Sequence, residues 1–115
     1  MTIAIGNDHA GTEYKFEIIK LLEELGHKVI NFGTNDEDSM DYADAIHPTA
    51  EAVESGMAEK GIILCGSGNG AQMTANKHQG VRAALCWNNE LVELTRQHND
   101  ANILTIPARF VSLQQ

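Results

Sequence analysis

The sequence Cys-Gly-Ser-Gly-Asn-Gly, residues 65–70, contains a thiol followed by three glycines. An apolar run at residues 61–64 predicts a buried strand before it, and residues 71–78 predict a helix after it. Glycines at such a junction let the backbone approach a ligand closely, and the first N–H groups of a helix favour anions. The pattern therefore predicts an anion site with a thiol at its edge.

Cys65 is the nucleophilic or basic candidate in this loop. A free cysteine is commonly an inert, buried apolar residue. A thiol that faces a helix N-terminus instead has a lowered pKa, which suits a base that takes a proton from carbon next to a carbonyl. We therefore expect Cys65 to be catalytic with a lowered pKa. Cys86, which has no glycine loop after it, is expected in the core.

Residues 66–71 also fit the G-x-G-x-x-G/A pattern of dinucleotide-binding loops. The context does not match, because the loop follows the third predicted strand and no acidic residue stands at a strand end about 20 residues later. A Walker A loop is excluded because G-K-[ST] is missing. The better interpretation is an oxyanion site made by the N–H groups of residues 66–70, with Ser67 as a further donor.

Other polar residues follow or precede predicted strands. Asp8 and His9 come directly after the first strand and are candidates for ligand binding, although Asp8 could simply cap a helix. Arg109 follows the fifth strand and is either an anion clamp or an exposed surface residue. His98 and Asn99 end the fourth helix and are expected at the same rim as Cys65, although His98 could merely complement the helix dipole.

Composition excludes several classes of function. The net charge of −8 argues against nucleic acid or anionic membranes as partners. No apolar run approaches a membrane span, and the N-terminus lacks the features of a leader peptide. Two cysteines without a disulfide framework indicate a reducing, cytoplasmic setting. Because H-E-x-x-H and C-x-x-C spacings are missing, we expect neither a metal nor another cofactor.

Apolar and amphipathic segments alternate along the chain. Strands are predicted over 2–6, 28–32, 61–64, 81–86 and 102–106, and helices over 13–25, 43–57, 71–78 and 88–98. This alternation predicts one α/β domain over residues 1–115: a three-layer α/β/α, doubly wound, five-stranded parallel sheet of order 2-1-3-4-5, Rossmann/flavodoxin-like. Ligands of such sheets bind at the switch point between strands 1 and 3, which would bring Asp8 and His9 beside Cys65.

Two further expectations concern how the helices cover this sheet. In the first helix, an apolar stripe is predicted to face the sheet, at Phe16, Ile19, Leu22 and Leu25. Residues 110–115 have the pattern of the opening of a fifth helix, with Ser112 as its N-cap. We expect the domain to continue into that helix or a partner subunit to cover the apolar surface left by its absence.

The sequence resembles the ribose-5-phosphate isomerase B / galactose-6-phosphate isomerase subunit family over nearly its whole length. The matching stretches are residues 6–11 (GNDHAG), 41–42 (DY), 65–70 (CGSGNG), 75–77 (ANK) and 96–102 (RQHNDAN). A cysteine at position 65 is similar to the branch that uses a cysteine base, ribose-5-phosphate isomerase B. The resemblance implies a metal-free isomerisation of a phosphosugar through an enediolate, as in the pentose phosphate pathway.

The resemblance also implies a role for each candidate residue. Cys65 would move a proton between carbons 1 and 2, while Ser67 and the rest of the loop (Gly66, Gly68, Asn69, Gly70) would hold the enediolate oxygen. His98, helped by Asp8, would open the furanose ring. The other substrate-binding residues would be His9, Tyr42, Asn99 and Arg109. Relatives are dimers or dimers of dimers with shared sites, so His98 and Asn99 would serve the neighbouring subunit.

The chain departs from the family at its end, where the C-terminal helix and its arginine-containing tail are missing. We therefore expect the natural protein to be longer than residues 1–115. The resemblance leaves two alternatives to the ribose 5-phosphate reaction. One is isomerisation of a six-carbon phosphosugar, allose 6-phosphate or galactose 6-phosphate, and the other is phosphosugar binding without catalysis.

Overall fold

The computed structural model describes residues 1–35 and 43–112. Its strands are β1 (Thr2–Asn7), β2 (Lys28–Asn31), β3 (Lys60–Cys65), β4 (Ala83–Leu85) and β5 (Ile103–Pro107). Its helices are α1 (Thr12–Glu24), α2 (Ala43–Glu54), α3 (Asn69–Ala75) and α4 (Asn89–Asn99), and a 3-10 turn (His9–Gly11) precedes α1. These elements occur in the predicted order, with bounds that differ by a few residues. The expected fifth helix, from Leu113 onward, lies outside the described residues.

All five strands are parallel and form one sheet in the order β2-β1-β3-β5-β4. The predicted doubly wound α/β class is therefore confirmed, but the predicted order 2-1-3-4-5 is wrong. β5 lies between β3 and β4 and bonds to both, with Ile103 opposite Gly61 on one side and Ala83 on the other. The connection from β3 through α3 to β4 therefore crosses β5, which lies between these two strands in the sheet.

The lengths and burial of the last two strands explain this exchange. β5 has five residues, and its inward side chains Ile103 and Thr105 are fully shielded from solvent. β4 has three residues and is preceded by the exposed, charged Arg82. Short strands with charged flanks suit a sheet edge, where one row of backbone groups stays unpaired. The more apolar strand therefore occupies the interior position.

Helices cover both faces of the sheet. The main core lies under α2 and α3, where Ile46, Ala50 and Ala71 pack against Ile63 and Ile103. Parallel crossovers are right-handed, so α1 and α4, whose connections run in the opposite direction across the sheet, cover the other face. This three-layer arrangement leaves the carboxyl ends of β1, β3 and β5 open along one edge.

Helix α1 follows the predicted apolar stripe only in its middle, where Ile19 and Leu22 are half-buried. Its buried residues are Thr12 and Lys15, whereas Phe16 is 49% exposed and Leu25 is 64% exposed. Successive residues of an α-helix are about 100° apart around the axis, so turning Lys15 inward rotates Phe16 outward. The apolar stripe was therefore misplaced by about one residue at its N-terminal end.

An apolar groove runs along the face that carries α1 and α4. Its apolar lining comes from the sheet residues Ile3, Ile62 and Leu104, with Met1 and Val92 at its sides. Among the described helices, none has the length and apolar character needed to cross a membrane.

Candidate active site

The site forms where β1 and β3 end side by side. Asn7, the last residue of β1, is paired with Leu64 of β3, and the Asp8 N–H donates to the Leu64 carbonyl oxygen at 3.2 Å. The chain leaves these two neighbouring strands in opposite directions across the sheet, which is the predicted switch point. The turn after β1 therefore lies next to Cys65, as the sequence predicted.

The central contact of the site joins Cys65 to Asp8. The Cys65 thiol donates to Asp8 Oδ2 at 3.2 Å, and Asp8 Oδ1 accepts from the Ala10 N–H at 2.9 Å. Both residues are buried, with 8% of Cys65 and 6% of Asp8 exposed. Asp8 is thus both the N-cap of the 3-10 turn and the partner of the thiol.

The pKa of Cys65 differs from the prediction. Burial, followed by the hydrogen bond to Asp8 and its negative charge, raises the pKa of Cys65, although the N–H groups of Gly68 and Gly66 oppose this. The predicted lowering is therefore wrong. Helix α3 has only seven residues, and an adjacent buried carboxylate outweighs the partial charge at the end of so short a helix. The raised pKa agrees with a thiol that is protonated and bonded to Asp8.

The glycine loop passes directly from β3 into α3. Helix α3 begins at Asn69, two residues earlier than predicted, with Gly68 as its N-cap at a φ of +82°. Ser67 and Asn69 are exposed, and the Asn69 N–H donates to Ser67 Oγ at 3.4 Å. The Ser67 hydroxyl is therefore exposed at the open edge of the sheet, while the Gly66 and Gly68 N–H groups lie beside the Cys65 thiol.

Arg109 closes the other side of the loop. Its N–H donates to the Gly66 carbonyl oxygen at 3.0 Å, one residue after Ala108 bonds to the Cys65 carbonyl oxygen at 2.8 Å. A methyl group added to Gly66 would lie 3.2 Å from Arg109 Cδ, so the guanidinium arm passes close over the loop. The structure thus brings together Asp8, His9, Cys65, the loop 66–70 and Arg109.

His98 and Asn99 do not join this group within one chain. They end α4, and the chain then reaches Asn102, whose carbonyl oxygen accepts from the Gly61 N–H at the beginning of β3. Cys65 is at the opposite end of that strand, about 13 Å from Gly61 at 3.3 Å per residue. The expectation of a shared rim is wrong for one chain, because a helix that leads into a parallel strand ends at the amino edge of the sheet.

Two further observations complete the site. Tyr42 lies outside the described residues. Among the described residues, no group of three or more His, Cys, Asp and Glu side chains is arranged to hold a metal ion.

Three buried polar residues behind the site were missed by the sequence analysis. Asn7, Thr12 and Lys15 are all buried, and Asn7 bonds to Thr12 Oγ1 at 3.2 Å. The available signal was a lysine four residues before Ile19, on the side of α1 that carries apolar residues. Because lysine is not apolar, it does not contribute to the periodicity from which the buried side of a helix is predicted.

Comparisons with known proteins agree with this geometry. The sequence profile described as Ribose/Galactose Isomerase matches residues 3–115. Ribose-5-phosphate isomerase B of Escherichia coli is 41% identical over 112 residues, which cover 97% of this chain and 75% of that protein.

Solved structures show the same relation. Ribose-5-phosphate isomerase B of Clostridium thermocellum has a TM-score of 0.97 and 46% identity, covering 99% of this chain and 77% of the other. The enzyme of Mycoplasma genitalium, solved with bound ribulose-5-phosphate, has a TM-score of 0.94 and 36% identity, covering 98% of this chain and 76% of the other. The chain belongs to the ribose/galactose isomerase family.

Proposed function

We propose that this protein is an aldose–ketose isomerase that interconverts D-ribose 5-phosphate and D-ribulose 5-phosphate. The observation that carries the proposal is the Cys65 thiol, buried at the carboxyl end of an interior strand and bonded to Asp8 at 3.2 Å. Family membership and relatives named ribose-5-phosphate isomerase B support this choice of reaction.

In the proposed mechanism, Cys65 moves the proton between the two carbons. The thiol first gives its proton to Asp8, with which it is already bonded. The thiolate then removes the proton from carbon 2 of the open-chain aldose, and the electron pair forms the enediolate. Return of that proton to carbon 1 yields the ketose, while a proton passes from oxygen 2 to oxygen 1. Asp8 then gives its proton back to the thiolate, which restores the starting pair. Once the thiol has lost its proton, the raised pKa makes the thiolate a stronger base toward the proton on carbon 2.

The loop after Cys65 supplies the stabilisation of negative charge. The exposed Ser67 hydroxyl is a donor at the open edge for an enediolate oxygen, and the Gly66 and Gly68 N–H groups lie beside the Cys65 thiol, where the charge develops. Arg109 lies over Gly66 and is suited to an anionic group of the substrate, and His9 extends the polar surface beyond Asp8. Tyr42 is assigned to this pocket on the resemblance alone.

The proposed active form is a homodimer or homotetramer with shared sites. His98 and Asn99 lie at the amino edge of their own sheet, so a second copy is the source that could bring them to Cys65. In that arrangement His98 opens the furanose ring with help from Asp8, and Asn99 binds the sugar. We place the protein in the cytoplasm, where Cys65 and Cys86, both free in this structure, stay reduced.

The test is an isomerase assay with ribose 5-phosphate on the full chain and on Cys65→Ala. We expect turnover by the parent and a loss of about a hundredfold or more in kcat for the variant, the usual effect of removing an acid–base group. Binding of the sugar phosphate, measured by calorimetry, should survive. Cys86→Ala is the matched control and should retain activity, because Cys86 is buried beside α4 and outside the site. Full turnover by Cys65→Ala would contradict the assigned base.

A six-carbon phosphosugar is the second candidate substrate, since the family description includes galactose as well as ribose. A sugar with one more carbon needs a longer pocket, but the proton transfer between carbons 1 and 2 is the same. Values of kcat/KM for ribose 5-phosphate, allose 6-phosphate and galactose 6-phosphate separate these possibilities. Binding of all three without turnover would instead indicate a non-catalytic phosphosugar-binding protein.

A further inference from the structure

Lys15 is a fully buried lysine close to the candidate active site. It has no exposed surface and is among the largest fully buried side chains of the described residues. Lysine is almost never buried to this extent without partners, because removing an ammonium from water is costly. Burial accordingly lowers the pKa of Lys15. A methionine or leucine would fill the same space without that cost, so the ammonium requires an explanation.

The partners of Lys15 are oxygen atoms of the segment that follows β2. Its Nζ donates to the Thr34 carbonyl oxygen at 2.6 Å and to Asn35 Oδ1. The Phe16 ring lies below the ammonium at 4.6 Å, which adds a cation–π contact. The lysine thus fixes the position of residues 34–35 relative to α1.

Thr34 is in turn bound to the last residue of β1. Asn7 Nδ2 donates to the same Thr34 carbonyl oxygen at 3.1 Å, and the Thr34 N–H donates to the Asn7 carbonyl oxygen at 3.4 Å. Asn7 Nδ2 also lies 2.9 Å from the Asp8 carbonyl oxygen and, like Lys15, is completely buried. The Thr34 carbonyl therefore joins the lysine to the turn that contains Asp8.

Asp8 faces the thiol from the other side of this turn. Its main chain is held at Leu64 and by Asn7, and its carboxylate reaches Cys65 Sγ at 3.2 Å. A shift of this turn would change the distance between the carboxylate and the thiol. The contacts from Lys15 to Cys65 are continuous, each within hydrogen-bond distance.

We infer that Lys15 is a positioning residue of the active site, which holds the Asp8 carboxylate against Cys65 through Thr34 and Asn7. The inference rests on the proposed function for its activity readout, but the placement of Asp8 can be measured without turnover. Thr12 and Lys15, the buried residues of α1, both lie in the first turn of that helix, directly behind Asn7.

The experiment compares Lys15→Met with Lys20→Met, each in a Cys86→Ala background so that Cys65 is the thiol observed. Lys20 is an exposed lysine of the same helix and is the matched control. The first readout is the pH dependence of Cys65 alkylation by iodoacetamide. The second is kcat and KM for ribose 5-phosphate. Within residues 1–35 and 43–112, the charged groups that face Cys65 and its loop in this assay are Asp8, from the turn after β1, and Arg109, from the segment after β5.

For Lys15→Met we expect the alkylation midpoint to move to lower pH, because a loosened Asp8 raises the thiol pKa less. In an Asp8→Asn background the same substitution should cause no further shift, since Lys15 acts through Asp8. We expect kcat to fall by about tenfold to a hundredfold with little change in KM, the effect of misplacing a reacting group. Lys20→Met should match the parent in both readouts.

An unchanged alkylation midpoint in a folded Lys15→Met protein would overturn the inference. If Lys15→Met does not fold, Lys15→Gln, which keeps a hydrogen-bond donor, is used in its place. Unfolding of both variants while Lys20→Met folds would assign Lys15 to stability alone and would likewise overturn it. If the parent shows no isomerase activity, the proposed function fails, and the alkylation profile still decides the role of Lys15.

Discussion

The contact between Cys65 and Asp8 combines two requirements of a proton-transfer site. Burial of the thiol, followed by the hydrogen bond to Asp8 and its charge, disfavours the thiolate and raises the pKa of Cys65. In the proposed mechanism this keeps the proton on the thiol until substrate binds. The Asp8 carboxylate accepts the thiol hydrogen bond at 3.2 Å, so the path for the proton already exists. If Cys65 is the proposed base, the pair therefore holds that base in its protonated form before the reaction.

Replacing Asp8 by Asn tests this account through the pH dependence of the thiol. The substitution removes the negative charge that opposes thiolate formation, so the pKa of Cys65 should fall and alkylation should begin at lower pH. Isomerase activity should decrease by about a hundredfold or more, because the proton acceptor is lost. The measurement is the rate of iodoacetamide reaction against pH in a Cys86→Ala background. Asp44→Asn, at an exposed position of α2, is the control, and a midpoint shift of the same size there would contradict the account.

Sequence reasoning located the residues of this site better than it described their chemistry. Asp8 could be placed beside Cys65 because the end of a strand defines an edge of the sheet. The direction of the pKa shift could not be predicted, since it depends on burial and on a 3.2 Å contact between residues 57 positions apart. His98 was predicted at the wrong edge. Helix α4 begins after β4, at the carboxyl edge of the sheet, and ends before β5, at the amino edge, so its last residues lie far from Cys65.

At the scale of elements, the alternation of apolar runs was enough to predict every strand. It did not determine the order of β4 and β5, because periodicity identifies strands and helices but not which strands pair. In the predicted order α4 would lie on the face of α2 and α3, whereas in the observed order it lies on the face of α1. The difference depends on which strand can be paired on both sides, and the three-residue β4 beside Arg82 is the weaker of the two. The length of each strand and the charge beside it therefore indicate which strand lies at the edge, and the apolar periodicity does not.

The loop between β3 and α3 depends on glycine at position 68. Gly68 has a φ of +82°, and a methyl group there would collide with Leu85 and lie 3.3 Å from Thr105 Cγ2. Gly68→Ala should therefore reduce the free energy of unfolding by about 1–2 kcal/mol for the left-handed backbone alone, with a further cost from the collision. Because the displaced loop carries Ser67, kcat/KM should fall by about tenfold or more.

Gly26 provides a control for the backbone effect in this prediction. Its φ is +89°, similar to that of Gly68, but no atom lies within 4 Å of the added methyl group. Gly26→Ala should cost about 1–2 kcal/mol in unfolding free energy and leave kcat/KM unchanged. Urea unfolding and the isomerase assay measure the two effects. Equal losses of activity in Gly68→Ala and Gly26→Ala would mean that activity falls with stability alone, which would contradict a specific role for the geometry of the loop.

Two large apolar side chains are exposed at the open edge of the sheet. Trp87 is 52% exposed and Phe110 is 73% exposed, and both line a depression beside Ser67 and Asn69. His98, the proposed ring-opening residue, and Asn99, the proposed sugar-binding residue, lie at the opposite edge. A single chain therefore holds the proton-transfer half of the proposed site and displays the other half elsewhere, which fits an assembly that joins the two.

Mixing two inactive variants tests whether the site is shared between subunits. Cys65→Ala and His98→Ala should each lack isomerase activity, and hybrids formed by refolding them together should regain one intact site each. For a symmetric dimer, equal mixing should restore about a quarter of the parent activity, since half of the dimers are hybrids with one of two sites complete.

The control for this experiment mixes Cys65→Ala with Asp8→Asn. These two residues lie in the same half of the site, 3.2 Å apart in one chain, so no hybrid of them contains an intact site and activity should stay low. The assay in both cases is turnover of ribose 5-phosphate per active-site equivalent. Activity that stays absent when Cys65→Ala and His98→Ala are mixed, while hybrids are present by mass spectrometry, would contradict the shared site. Recovery in this pair but not in the control would assign His98 to the partner subunit, because the two edges of one sheet cannot meet within a chain.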